Sequence, residues 1–172
     1  MDGWIHEQRR DHYDRDGAWA ASGATLPNLH KLLFSNDFFG YPPPKSTGRN
    51  TFSLAWVKKH LLGDEAPQDV QATLLELTAH GIADAITRYC AGAQAAYVCG
   101  GGAHNGALMS RLAALSGGVY VATTRELGLD PDWVEAMAFA WLAREALAHR
   151  PANLPSVTGA RGPRVLGAIY PA

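Results

Sequence analysis

The chain has 172 residues, a formal net charge of −1 and a hydrophobic fraction of 47%. That length suits one domain with a real core or a piece of a larger protein, and the near-zero charge offers no field for nucleic acid or an anionic membrane. No apolar stretch reaches the roughly 18 residues of a membrane span, and the opening MDGWIHEQRRDHYDRD is too polar for a signal peptide.

Residues 1 to about 13 read as a helix, followed by an Asp/Gly turn, DRDG. The start is abrupt, so the chain is expected to begin in the middle of a fold. Leu26, Leu29 and Leu33 predict a short helix over 26–34. Residues 35–50 read as irregular, because three successive prolines set an extended path. Phe52, Ala55, Trp56 and Lys59 mark a helix over about 52–62, with Asn50 or Thr51 as its cap. The longest periodic segment is 66–90. There Val70, Leu74, Leu77, Ile86 and Tyr89 lie near one stripe, Pro67 suits the first helical position, and Gly81 breaks the pattern at some cost.

Residues 95–99 then read as a strand, 105–115 as a helix with Leu108, Leu112 and Leu115 on one side, and 119–122 as a second strand. This is a β-α-β unit and argues for an α/β fold with parallel pairing. Asp130 and Pro131 open a further helix over about 131–149, and VLGAIY near the end reads as a final short strand. Two strands do not make an independent α/β core, since a parallel sheet needs several neighbours and cover on both faces. The missing strands are expected upstream of Met1.

Three features invite a functional reading. In VCGGGAHN, Gly100, Gly101 and Gly102 follow the first strand and precede a helix. Glycines there let the backbone turn sharply, and the first amides of the helix point back at the turn, a geometry that accepts phosphate. The alternative is a tight junction needed only for packing. His104 reads as a ligand donor or a plain helix-start residue, and Asn105 as an N-cap or a ligand contact. In PPPKSTGR, a stiff proline run carries Lys45, Ser46, Thr47, Gly48 and Arg49; it suits phosphate binding or a solvated linker. Glu135 sits in a helix that is apolar nearly all round, and reads as the wall of a site or as a solvent-exposed first-turn acid.

Other signals are weak. Cys90 and Cys99 match no CxxC or His-spaced metal pattern and read as two buried thiols of a reducing compartment, with the cytoplasm as the expected location. Asp14-Arg15-Asp16-Gly17 lacks the alternating oxygen ligands of a calcium loop, and no metal site is expected. Asp2 heads the first helix and suits either fraying or function. No nucleophile signature appears.

In order, MDGWI, YDRDGAWAASG, PPPKSTGR, VCGGGAHN, the ELG…EAMAFAWLA segment, NLPSVTGA and VLGAIYP span all 172 residues. In that order and spacing the chain resembles the C-terminal half of the anhydro-N-acetylmuramic acid kinase family. The resemblance implies an incomplete ribonuclease H-like lobe of the actin, hexokinase and Hsp70 kind, with helical additions and few strands. It implies ATP and Mg²⁺, and conversion of the small-molecule substrate 1,6-anhydro-N-acetylmuramic acid to N-acetylmuramic acid 6-phosphate in cytoplasmic cell-wall recycling. Gly100, Gly101, Gly102, Ala103 and Asn105 correspond to the glycine motif on the nucleotide side. Lys45, Ser46, Thr47 and Gly48 fall in the proline-lysine loop, and Glu135 in the segment facing the sugar.

The family's first phosphate motif and the segment expected to hold its catalytic aspartate have no counterpart here. The expectation is therefore the C-terminal lobe alone, inactive by itself, with its N-terminal lobe supplied in trans; a dimer is a further option. A non-catalytic nucleotide-binding or interaction module is the alternative, and no nucleic acid or membrane partner is expected.

Overall fold

The computed structural model of the chain describes residues 1–48 and 50–170. Helix α1 (Asp2–Arg9) ends earlier than expected, because Arg10 turns left-handed at φ 66° and its amide bonds back to the His6 carbonyl. A 3₁₀ turn at Arg15–Gly17 leads into α2 (Ala18–Ala21). Helix α3 (Pro27–Phe34) follows the leucine pattern, with Pro27 at its start.

Inside the stretch expected to be irregular lies α4 (Asp37–Gly40). The Asn36 side chain caps it, accepting the Phe38 amide at 3.1 Å. Helix α5 (Leu54–Lys58) is shorter than expected and is capped by neither Asn50 nor Thr51; the Ser53 hydroxyl accepts the Trp56 amide at 3.2 Å.

Helix α6 (Pro67–Tyr89) is buried on two faces. Val70, Leu74 and Leu77, at i, i+4 and i+7, pack with Leu29, Leu33 and Trp4. Leu75, Ala79 and Ala83, on the opposite face, pack with Ala20, Leu108 and Leu112. Gly81 is more than a break in the pattern, since a Cβ there would stand 3.0 Å from the Phe39 ring.

The expected β-α-β unit is present. Strands β1 (Ala95–Val98) and β2 (Tyr120–Thr123) pair in parallel, Ala95 opposite Tyr120 and Val98 opposite Thr123. Helix α7 (Gly106–Leu115) forms the crossover and packs on α6. Among the described residues the sheet has two strands. VLGAIY forms no strand over its described residues 165–170. Helix α8 (Val134–Leu147) starts three residues later than expected. Asp130 accepts the Asp132 amide at 3.0 Å, and the Pro131 carbonyl accepts the Gly100 amide at 2.9 Å, so both residues serve a turn. A single helical turn, α9 (Pro155–Thr158), lies in the tail. Cys90 and Cys99 are exposed rather than buried: one ends α6, and the other follows β1 on a sheet too narrow to cover it. No helix among the described residues is long and apolar enough to cross a membrane.

The acidic turn is a clamp. Asp14, 6% exposed, accepts the amides of Trp19 and Ala20, each at 2.9 Å, and Nε2 of Gln71 at 3.2 Å. Asp14→Ala leaves all three donors without this acceptor. It is expected to cost about 1–3 kcal/mol, read as a lower urea midpoint with an unchanged m value.

Candidate functional site

The glycine turn bends at Gly100, where φ is +72°, a region that disfavours any side chain. Residues Gly101–His104 then form one 3₁₀ turn before α7. The helix amides that the sequence assigns to a ligand are mostly engaged within the protein. Asn105 Oδ1 caps the helix by accepting the Leu108 amide at 2.9 Å, and Asp16 Oδ1 accepts the Gly106 amide at 2.8 Å. Among the described residues, open amides remain at Ala107 and in the preceding turn. Those of Gly101 and Gly102 have no acceptor among the described residues. A Cβ at Gly100 or Gly101 would meet nothing within 4 Å, so the glycines face open space.

That space is a cavity of about 630 Å³ lined by Met1, Asp2, Tyr13, Asp14, Gly101, Gly102, His104 and Asn105. Its two ends of sequence are held together by the DRDG turn. Gly17, at φ +69°, lies so close to Asn105 Oδ1 and the Ala107 Cβ that no side chain fits. His104 Nε2 pairs with Asp132 Oδ1 at 2.8 Å, which fixes the ring toward the start of α8. Ala103 closes the turn by donating its amide to the Gly100 carbonyl at 3.0 Å.

The other expected residues lie elsewhere. Lys45 Nζ donates to the carbonyls of Phe38 at 2.9 Å and Phe39 at 3.3 Å, and stands 4.7 Å from the Phe38 ring centroid. With Thr47 it borders a second cavity, of about 710 Å³, walled by Phe38, Phe39, Phe52 and Trp56. Lys45, Ser46, Thr47 and Gly48 therefore line no part of the glycine cavity; Met1 borders both cavities. Arg49, the second cation expected on this loop, lies outside the described residues. Glu135 is exposed in the first turn of α8 and borders neither cavity.

Sequence reasoning left Asp2 open between fraying and function, and missed the part played by Tyr13, Asp14 and Asp16 at this site. Asp16 meets Gly106 across 90 residues, and no local pattern announces such a contact.

A model of one family, anhydro-N-acetylmuramic acid kinase, matches residues 1–172. The chain belongs to that family. Curated relatives named anhydro-N-acetylmuramic acid kinase include one from Pseudomonas syringae pv. tomato, 58% identical over 100% of this chain and 48% of its own length. Others from Thiobacillus denitrificans and Nitrosospira multiformis are each 54% identical over 100% of this chain and 47% of theirs. The chain spans about half the length of the curated relatives it matches. Seen as a member of this family, it brings three of its landmark segments, MDGWI, the DRDG turn and the glycine turn, to one cavity.

Helix α7, which carries the glycine turn, is tied to α6 by Arg111 and Glu76, with Nε–Oε2 at 2.5 Å and Nη2–Oε1 at 2.7 Å. The Arg111 bond holds Glu76 below its ordinary pKa of 4.5. A lowered carboxylate pKa adds stability above its unfolded value and loses it as pH falls through the folded one. Wild-type thermal stability should exceed that of Glu76→Gln at pH 7, and the gap should close progressively below about pH 4.5, as followed by circular dichroism.

Proposed function

We propose that this chain supplies the nucleotide-side wall of an ATP-dependent kinase acting on 1,6-anhydro-N-acetylmuramic acid. Water adds at the anomeric carbon as the 1,6-bridge C–O bond breaks, and oxygen 6 takes the γ-phosphoryl group of ATP. The products are N-acetylmuramic acid 6-phosphate and ADP, in the cytoplasmic recycling of wall sugar. The observation that carries this reading is the pair of open amides at Gly101 and Gly102, set between a parallel strand and a helix and facing a cavity in a chain of this family.

In this reading the two amides donate to phosphate oxygens, and the bend at Gly100 brings the backbone against the nucleotide without a side chain between them. Asn105 and Asp16 hold the turn in place by satisfying the α7 amides. Ala103 keeps the turn narrow. Glu135, which has no hydrogen-bond partner among the described residues, is suited to accept from a sugar hydroxyl. Lys45 and Thr47 border the neighbouring aromatic cavity, and Ser46 and Gly48 line neither cavity, so the reading rests on the glycine turn and not on them.

Among the described residues no group of three or more His, Cys, Asp or Glu side chains gathers to hold a resident metal. Mg²⁺ is assigned to the nucleotide as the companion of its phosphates, and no step is routed through the ion. Phosphoryl transfer needs charge stabilisation on both sides of the moving group. The opposite wall, the carboxylate that activates water and the remaining strands of a ribonuclease H-like lobe are assigned to the half of the family's polypeptide that this chain does not span.

Two measurements test this. A leucine side chain at 101 enters open space, so Gly101→Leu should change folding stability by less than about 0.5 kcal/mol yet weaken ATP binding at least about tenfold by calorimetry. Unchanged affinity removes the glycine turn from the site. Turnover of the anhydro sugar should be absent for the chain alone and appear when the other half of a relative is added. ATP binding with no turnover in that mixture supports a non-catalytic nucleotide-binding module instead.

A further inference from the structure

Helix α8 is apolar on almost every side, yet little of it is covered. From Val134 to Leu142 its one charged residue is Glu135. Phe139 is 64% exposed, Met137 55% and Trp141 44%, and Trp133 just before the helix is 64% exposed. The helix makes no extensive contact with any other helix or strand among the described residues. Its polar anchor is at the far end, where Glu145 accepts from Arg144 and from Arg150 at 2.6 and 3.0 Å. Scattered apolar side chains on a surface need no explanation, but large ones gathered on three turns mark an interaction face.

The place of α8 narrows what covers it. The Gly100 amide donates to the Pro131 carbonyl at 2.9 Å, and His104 pairs with Asp132, so the entry to α8 is fastened to the glycine turn. The adjoining two-stranded parallel sheet has both outer edges unpaired among the described residues, with Tyr97 and Tyr120 exposed. A parallel pair of this kind needs neighbours and cover on both faces. A bilayer surface fits poorly, because α8 has no basic face. A second copy would meet the apolar side chains but would repeat the same incomplete cavity. The relatives carry about as much polypeptide again as this chain spans.

We propose that α8, through Trp133, Met137, Phe139 and Trp141, is the docking face for the half of the family's polypeptide that this chain does not span. Seated there, that half closes the glycine cavity from the opposite side. The proposal rests on the kinase reading for the identity of the occupant.

The test is co-expression of this full chain, tagged, with the unspanned half of the Thiobacillus denitrificans relative. Co-purification, affinity by surface plasmon resonance and amide exchange over residues 134–147 are measured. The two halves should co-purify, and exchange in α8 should slow on assembly. Phe139→Asp and Trp141→Asp should weaken assembly at least about thirtyfold, while each variant chain melts as the wild type does. Leu62→Asp, at a site 90% exposed on a loop, should leave assembly unchanged. Absence of a complex, unaltered affinity in both α8 variants, or unaltered α8 exchange each overturns the proposal. Self-association of the chain abolished by Phe139→Asp names a second copy as occupant and also overturns it. Turnover is scored separately: a complex that forms through α8 without turnover keeps the interface and defeats the kinase reading, whereas full turnover in both α8 variants defeats the interface alone.

Discussion

Helix α6 is packed from two opposite sides, and that double burial places the elements on which the site depends. One side gathers α1, α3 and α5 through Trp4, Leu33 and Val57. The other receives α2 and α7, and through α7 the parallel strands and the glycine turn. The second side is built on Ala79 and Ala83, small residues that let a neighbouring helix approach closely. Polar groups are fitted into this packing. Thr73, fully buried, accepts the Leu26 amide and donates to the Asp69 carbonyl. Gln71 spends Nε2 on Asp14 and leaves Oε1 unpartnered, a local cost tolerated where the clamp is made.

The site joins distant parts of the chain through charge-assisted hydrogen bonds. Asp14 fixes α2 to α6, and two residues later Asp16 reaches the first amide of α7. Carboxylate acceptors for backbone amides are among the stronger hydrogen bonds available. With Gly106 and Leu108 of α7 capped by Asp16 and Asn105, the amides of Gly101 and Gly102 stay open, and at Gly101 no side chain intervenes. A phosphate-sized anion would meet a turn that is already formed, so little ordering accompanies binding.

Apolar surface is distributed unevenly. Helix α6 carries the buried core, whereas α8, whose entry is fastened to the glycine turn, presents aromatic side chains to solvent. Covering such surface is favourable by about 25 cal/mol per Å², so this face and the open side of the cavity ask for the same neighbour.

Much of the secondary structure was legible in the sequence, because apolar periodicity reports directly on helices that bury one face. Leu26, Leu29 and Leu33 announced α3, and Leu108, Leu112 and Leu115 announced α7; the β-α-β order followed from the alternation of pattern. The Asn105 cap was among the local readings, since a cap depends on residues only three positions apart. Less was legible where two elements compete for the same groups. Asp130 and Pro131 look like a helix start, but the Pro131 carbonyl is taken by Gly100 and the helix begins later. Lys45 looks like a phosphate ligand, but two carbonyls and an aromatic ring hold it. The sequence by itself determined the longer helices, the β-α-β order and that three glycines follow a strand. Tertiary structure alone decided that Asp16 occupies the α7 amide, that Asp2, Tyr13 and Asp14 face the glycines, and that α8 stays uncovered. The physical reason is range: hydrogen bonding and periodicity within a turn are written locally, whereas contacts across 90 residues exist only once the chain has packed.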